Sequence, residues 1–412
     1  MNPVSIVTIK ELIPLYKNGE EANAIQLATF EEHGYKLVVG KGLYEIGSKG
    51  VYMMPDYCVP IQQGQLATHA ETLFKSFTEP GGDPKKSRLG KNGRIRAIKF
   101  NFSLAGEVDP VFSNGILLPL VEIANHFATM PEDIINTQDE RLQELLQITK
   151  YEEPETAHSG LAKGDLPSGM YSTDETNVEG IVNNLQWPLQ LVGSLKIDGS
   201  SETIYYIDDE HQGICSRRLE KKLDQVVVKG YTTSDGQQVR RHFDRETSQK
   251  GWLANEVFYL EPEESWTEVT EEVDDSFVKI GKPILEKLRA YCKETGQQLA
   301  LRGELCGQGL KGSGNKNNPH AVLKQQILFY GVDDYSSGAT RKVGQARFGE
   351  VINALGVNVC DQLFIKVFNS YEELYKECME YFKTNLVEGI VCRTLDSRIS
   401  FKLMNPEYDS KK

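Results

Sequence analysis

The rhythm of hydrophobic and polar positions changes twice along the 412 residues. Up to residue 124 the apolar positions come in short runs, 24–30, 35–39, 50–54 and 94–102, cut by Gly, Asn and Pro. Runs of this length, rich in β-branched and aromatic residues, predict strands. Within 94–102, Ile98, Phe100 and Phe102 share one parity while Ile95 and Ala97 have the other. That phase slip predicts a bulge. Several short strands in this span predict a small barrel or sandwich. From 125 the pattern turns helical and then polar. Pro131 marks a helix start, and Leu142, Leu145 and Leu146 recur at helical spacing. The stretch 152–177 is rich in Gly, Ser, Thr and Pro and predicts a linker or mobile loop. After Trp187 strands and helices mix. Strand-like runs are 189–197, 202–207, 299–305, 326–332, 386–393 and 399–403. Helix-like runs are 283–295, with Ile284, Leu285, Leu288, Tyr291 and Cys292 on one stripe, 345–355, and 370–383. The last opens with Ser370 and Glu373 at capping-box spacing, and Tyr371, Leu374, Tyr375 and Cys378 form its core stripe.

Length and composition bound this picture. A chain of 412 residues with 39% hydrophobic and 25% charged residues is ordinary globular material, enough for two or three domains and unlike a disordered or fibrous chain. The breaks in pattern place them at 1–124, 125–184 and 185–412. No apolar run approaches the roughly 18–20 residues that span a bilayer, and the first residues lack a signal-peptide pattern. A cytoplasmic protein with no membrane partner is expected, with a monomer as the default. The seven cysteines contain no CxxC pair, which argues against a zinc ribbon or a disulfide framework. The histidines show no metal-ligand spacing.

A net charge of −13 argues against a nucleic-acid partner until its distribution is considered. In residues 1–124, 13 basic residues balance 13 acidic ones, so the whole deficit lies beyond them. The neutral part also holds a basic run, Lys85, Lys86, Arg88, Lys91, Arg94, Arg96 and Lys99, with no acid between. A positive groove can follow a phosphate backbone; the alternative is a solvated basic loop. The acidic run Glu261, Glu263, Glu264, Glu268, Glu271, Glu272, Asp274 and Asp275 reads as a solvated loop and helix start.

Candidate chemistry begins at Leu195-Lys196-Ile197-Asp198-Gly199-Ser200-Ser201, at the end of an apolar strand. A lysine there becomes nucleophilic only if its pKa is lowered, and Gly199 permits close backbone approach. Alone this is a weak signal. It gains weight from elements that follow in order: Cys215-Ser216-Arg217-Arg218; Glu304 and then Glu388, each a lone carboxylate beside glycine in an apolar strand; Phe329-Tyr330, adjacent aromatics in a strand; and Lys402 in a final strand. A buried carboxylate needs a cation, a metal or a hydroxyl as partner. The run Gly312-Ser-Gly-Asn-Lys-Asn-Asn318 is a phosphate-facing loop or a simple flexible turn.

Read together, Lys196-x-Asp198-Gly199, Ser216-Arg217, Glu304, Phe329-Tyr330, Glu388-Gly389-Ile390-Val391 and Lys402 resemble motifs I, Ia, III, IIIa, IV and V of the covalent nucleotidyltransferases, the ATP-dependent DNA and RNA ligases and mRNA capping enzymes. Within that superfamily the chain looks more like RNA ligases. Ser201 stands where the other branches place an arginine, and those branches add an OB domain after the site. Here OB-like material, 35–42, 50–55 and 113–120, lies in front and resembles the N-terminal module of the fifth family of ATP-dependent RNA ligases. Two departures stand out: Ser400 replaces the first lysine of K-x-K in motif V, and Leu195 replaces the glutamate that often precedes the motif I lysine.

The resemblance implies an α+β fold: an OB-like β-barrel in 1–124, a helical and polar connector in 125–184, and an ATP-grasp-like nucleotidyltransferase domain of antiparallel sheets flanked by helices in 185–412. It implies an ATP-dependent RNA ligase that joins 5′-phosphate and 3′-hydroxyl ends through lysyl-AMP and RNA-adenylate, for nick sealing and RNA repair, with ATP and Mg²⁺ or Mn²⁺ as cofactors. A DNA or sugar-indifferent ligase, or an inactive nucleotidyltransferase that only binds RNA, are the alternatives. Lys196 would be the nucleophile and Lys402 would stabilise the α-phosphate. Asp198 would contact the ribose or a hydrated metal, Glu304 a ribose hydroxyl, and Glu388 the metal. Gly199 and Arg217 would line the nucleotide or 5′-phosphate site. Phe329 or Tyr330 would stack on adenine, with Phe329 preferred. Lys85, Lys86, Arg88, Lys91, Arg94 and Arg96 would hold RNA.

Overall fold

The N-terminal sheet begins with a hairpin longer than the apolar runs predict. Val4–Lys17 and Glu20–Phe30 pair antiparallel across Asn18 and Gly19, both at positive φ (55° and 83°), as a tight two-residue hairpin turn requires. The structure, a computed structural model, describes residues 2–60, 73–74, 89, 93–151, 161–172, 174–224, 226–244, 249–272, 275–310 and 322–409. In this sheet the strand order is Leu37–Gly40, Glu20–Phe30, Val4–Lys17, Lys49–Met53 and Ile116–Pro119. The phase slip in 94–102 marks a crossing between two cores. Ile95 packs with Val4, Phe74 and Leu146, whereas Phe100 and Phe102 pack with Leu15, Leu27 and Val38. Only Ile98–Phe100 is a strand, paired with Val111–Ser113. Short helices follow at Leu120–His126, Pro131–Ile135 and Asp139–Leu146, and Leu142 and Leu146 of the last join the N-terminal core.

Two larger sheets follow. One has seven strands in the order Ala162–Asp165, Leu219–Lys221, Gln212–Cys215, Ser200–Tyr206, Leu299–Cys306, Gln326–Asp334 and Arg341–Lys342. The other has five, Thr176–Asn177, Ser400–Met404, Gly389–Thr394, Leu189–Lys196 and Gln362–Phe368. The pairings are antiparallel except that of Thr176–Asn177 with Ser400–Met404. The helix Ser276–Thr295 covers one face of the larger sheet and buries Leu285, Leu288 and Cys292 beside Gln345–Leu355. It starts at Asp275, whose side chain accepts from the Phe277 N–H, and stops at Gly296 in the left-handed region. The helix Tyr371–Thr384, capped by Ser370, covers the outer face of the smaller sheet. The two remaining faces look at each other across a cleft, bridged by Arg393 over the Tyr330 ring at 5.5 Å. Antiparallel sheets with helices on one side make this an α+β fold.

Two expectations change. The polar stretch read as a linker supplies an edge strand to each large sheet, Ala162–Asp165 and Thr176–Asn177. Edge strands bury little, so their composition reads as loop. The acidic run is partly an exposed edge strand, Thr267–Glu272, of a separate five-stranded sheet over 226–272 with its own core of Val239, Trp252, Ala254 and Trp266. Charge on such an edge discourages further pairing.

Candidate active site

The strand Leu189–Lys196 lies between Gly389–Thr394 and Gln362–Phe368, with Lys196 opposite Gly389. Alternation sends Leu191 and Leu195, with Ile390 and Cys392, toward the Tyr371–Thr384 helix. The other parity, Ser194, Lys196, Val391, Arg393 and Lys402, faces the cleft. Gly389 is required where it stands, because a Cβ would come within 2.4 Å of the Leu403 carbonyl oxygen. Just before it, Glu388 is buried and its Oε2 accepts from Lys196 Nζ at 2.6 Å.

The larger sheet supplies the opposite wall. Ser201 pairs with Glu304, placing both on the cleft side, and the Gly199 N–H donates to the Glu304 carboxylate. A Cβ on Gly199 would lie 2.4 Å from the Leu305 carbonyl oxygen and 2.9 Å from Glu304 Cγ, so only glycine fits. Between Gln326–Asp334 and its neighbour, Arg302 pairs with Gly331 and Gly303 with Phe329, which leaves Tyr330 as a bulge. The bulge lets Phe329 and Val332 both enter the core against the helices while Tyr330 faces the cleft. This corrects the preference for Phe329 as the stacking residue. It is fully buried on the far face, packed with Leu285 and Val351.

Electrostatics set the protonation states. Burial works to lower the Lys196 pKa, but Glu388, Glu304 and Asp198 together outweigh it and hold the amine above its ordinary range. Burial pushes Glu304 up to about 8, partly offset by Lys196. Lys402 goes the other way, lowered by burial and then by the charge of Lys196. Asp198, 6% exposed, accepts from the Tyr408 hydroxyl. Burial first, and that contact next, push the phenol above its usual range, so it remains a donor.

Several participants carried no signal that the sequence reading used. Glu175, inside the stretch read as a linker, accepts from Arg393 at 3.1 Å, Lys342 at 3.0 Å and Ser400 Oγ at 2.6 Å. These contacts overcome its burial and keep its pKa low. Ser400 is thus occupied in a polar network at the far end of the cleft. Arg393 was visible in principle, as a charge in an apolar strand, by the argument used for Glu304. Tyr408 had no such signal.

Arg217 is tied to Asp174, at 2.6 and 2.8 Å to its two oxygens, and Asp174 also binds Lys150. From the basic run, Arg94 pairs with Asp56 at 2.5 Å and lies over the Tyr151 ring. Arg94 and Arg96 alternate with buried Ile95 and Ala97 and so point out of the core. Asp56 and Asp174, the partners of Arg94 and Arg217, both act on the charge of Lys402. Lys85, Lys86, Arg88, Lys91 and the loop 312–318 lie outside the described residues.

Among the described residues no group of three or more His, Cys, Asp or Glu side chains could hold a metal ion unaided. Two carboxylates, Asp198 and Glu388, flank Lys196. That donor set fits Mg²⁺ or Mn²⁺ bound jointly by one or two carboxylates, water and nucleotide phosphates, as small hard cations prefer. No described helix is long and apolar enough to cross a membrane.

A model of the RNA ligase family matches residues 189–404. No curated protein matches the chain. Among solved structures, a Naegleria gruberi RNA ligase mutant with ATP and Mn is 19% identical, with a TM-score of 0.64, covering 100% of this chain and 97% of its own. The same ligase with PPi is 20% identical, with a TM-score of 0.65 and coverage of 100% and 98%. At this identity the likeness establishes a shared fold along the whole chain.

Proposed function

The chain belongs to the RNA ligase family, and from that premise we propose that it joins RNA 5′-phosphate and 3′-hydroxyl ends at the expense of ATP, with Lys196 as the residue that carries AMP. The observation that supports this most is Lys196 on the cleft wall, paired with Glu388 and within the influence of Glu304, Asp198 and Lys402. The similar Naegleria gruberi structures, solved with ATP and Mn or with PPi, favour the same nucleotide and metal here.

In the first step the Lys196 amine attacks the α-phosphorus of ATP. A P–N bond forms, the bond to the bridging oxygen breaks, and pyrophosphate leaves. The amine must first lose its proton, which passes to solvent as neighbouring positive charge lowers its pKa. Lys402, charged and close, disfavours the ammonium form of Lys196 and attracts the α-phosphate. When bound, a divalent ion held by Glu388 and Asp198 would cancel the carboxylate charge that keeps Lys196 protonated and neutralise phosphate oxygens. Glu304 would bind a ribose hydroxyl, and Tyr330 would stack on the base. AMP then passes to an RNA 5′-phosphate oxygen, and attack by a 3′-hydroxyl releases it. Arg217 and Lys150, both paired with Asp174, would receive the incoming 5′-phosphate. The basic run of the N-terminal module, of which Arg94 and Arg96 point out of the core, would follow flanking RNA.

The substrate proposed is a nick in a duplex whose 3′-hydroxyl strand is RNA. The test is sealing of nicked duplexes that differ only in the sugar of that strand. Sealing with ribose and not deoxyribose is expected; equal sealing would mean a sugar-indifferent ligase. RNA binding without AMP transfer would leave only an RNA-binding protein.

A further inference from the structure

The segment that follows the last strand touches both candidate metal-binding residues, Asp198 through its side chain and Glu388 through its backbone. Asn405 is 1% exposed. Its N–H donates to the Glu388 carbonyl at 2.8 Å and its Nδ2 to the Val387 carbonyl at 2.9 Å, while its Oδ1 accepts from the Glu407 N–H at 3.1 Å. One side chain therefore fixes the backbone that carries Glu388 and starts the helical turn Pro406–Asp409. One turn on, the Tyr408 hydroxyl donates to Asp198 Oδ2. Between them, Glu407 accepts from Lys99 Nζ at 2.6 Å, and Lys99 belongs to the strand Ile98–Phe100 of the N-terminal half. Four consecutive residues thus reach Glu388, Asp198 and the N-terminal module.

We infer that the turn Asn405–Tyr408 is a positioning device for the site's carboxylates, in which the Tyr408 hydroxyl orients Asp198 for the divalent ion and the Glu407–Lys99 pair anchors the turn to the N-terminal module. This rests on the function proposed above. An aspartate has two freely rotating side-chain bonds, and a hydroxyl donor on one of its oxygens, at a part-buried contact, restricts that rotation. Partners that orient metal-binding groups typically change metal affinity by about 10–100-fold when removed. Tyr408 itself touches neither Lys196 nor Glu388 by hydrogen bond among the contacts described.

Tyr408→Phe keeps the ring and removes the hydroxyl. Calorimetric titration of Mn²⁺ with ATP into the Lys196→Met protein, which cannot form the adduct, measures binding without turnover. Adding Tyr408→Phe is expected to raise the half-saturating Mn²⁺ about tenfold. In the chain that retains Lys196, the Mn²⁺ dependence of AMP-adduct formation should shift likewise and recover at high Mn²⁺. A purely structural defect would lower the rate at every Mn²⁺ concentration. An unchanged Mn²⁺ dependence in both assays overturns the inference. If Tyr408→Phe lowers stability, Glu407→Gln decides: a smaller shift in the same direction supports the device, and none overturns it. Absence of AMP adduct in the unmutated chain would sink the underlying function, while the binding titration would still decide the role of Tyr408.

Discussion

The two faces of the seven-stranded sheet bury two glutamates a strand apart, and they are treated oppositely. Glu304 looks into the cleft, where Lys196 offsets its burial and the Gly199 N–H donates to it. Glu202 looks the other way, toward the helix Ser276–Thr295, and is fully buried. Both its oxygens lack a hydrogen-bond partner among the described residues. Burial first, and Asp275 next, push its pKa well above the usual carboxylate range. A buried, perturbed carboxyl is therefore not by itself a mark of function. What separates the two is convergence: around Glu304 a lysine, two further carboxylates and an aromatic ring meet across the cleft, whereas Glu202 faces apolar packing with the charges of Asp275 and Lys221 acting on it.

The comparison can be broken on the cleft side first. Gly199→Ala drives a Cβ to within 2.4 Å of the Leu305 carbonyl oxygen. The turn carrying Asp198 must move away from Glu304, and a displacement of about 1 Å costs on the order of 100-fold in rate. Single-turnover AMP-adduct formation measures this, and a rate within threefold of the parent (about 0.65 kcal/mol) would show that the close packing is dispensable. The next effect is pH. Because Glu388, Glu304 and Asp198 hold Lys196 protonated, the reactive amine grows about tenfold per pH unit below its pKa. Adduct formation at limiting Mn²⁺ should rise steeply from pH 6 to 8, about tenfold per unit, and Lys402→Met should displace the rise to higher pH. The smallest effect lies on the other face. Glu202→Met fills the same space without an unsatisfied carboxyl and should stabilise the protein by about 1–3 kcal/mol at pH 8. The sign follows from linkage: a raised folded-state pKa gives stability that is full below the unfolded value and is lost as pH rises toward the folded one. Denaturant titrations at pH 5 and 8 should show that loss in the parent and its absence in Glu202→Met, with adduct formation unchanged.

Much of the cleft was legible because strands put buried charges where only apolar residues belong. Lys196, Glu304 and Glu388 each break an apolar run, and each lands on the cleft. Tyr330 was not separable from Phe329, because the bulge that turns one inward and the other outward depends on how Gly303 pairs with its neighbour. Glu175 and Asp174 were hidden for a different reason. They lie in a polar stretch whose edge strands bury too little to show a period, yet they bind Arg393 and Arg217 from elsewhere in the chain. Tyr408 is one hydroxyl on a short turn, and nothing in its local pattern indicates that Asp198 lies within reach. In the sheet over 226–272 the strands Gln238–Asp244 and Thr267–Glu272 are largely exposed and charged, so no strand stands out in 226–260 and the acidic run reads as a loop and helix start.

The central claim is that the lysine held by the cleft carboxylates takes up AMP. Intact mass of the purified chain before and after incubation with ATP and Mn²⁺, beside Lys196→Ala, tests it most directly. The account predicts a gain of one AMP that pyrophosphate reverses and that Lys196→Ala lacks. An adduct that persists in Lys196→Ala, or no adduct with ATP in the parent chain, would contradict it.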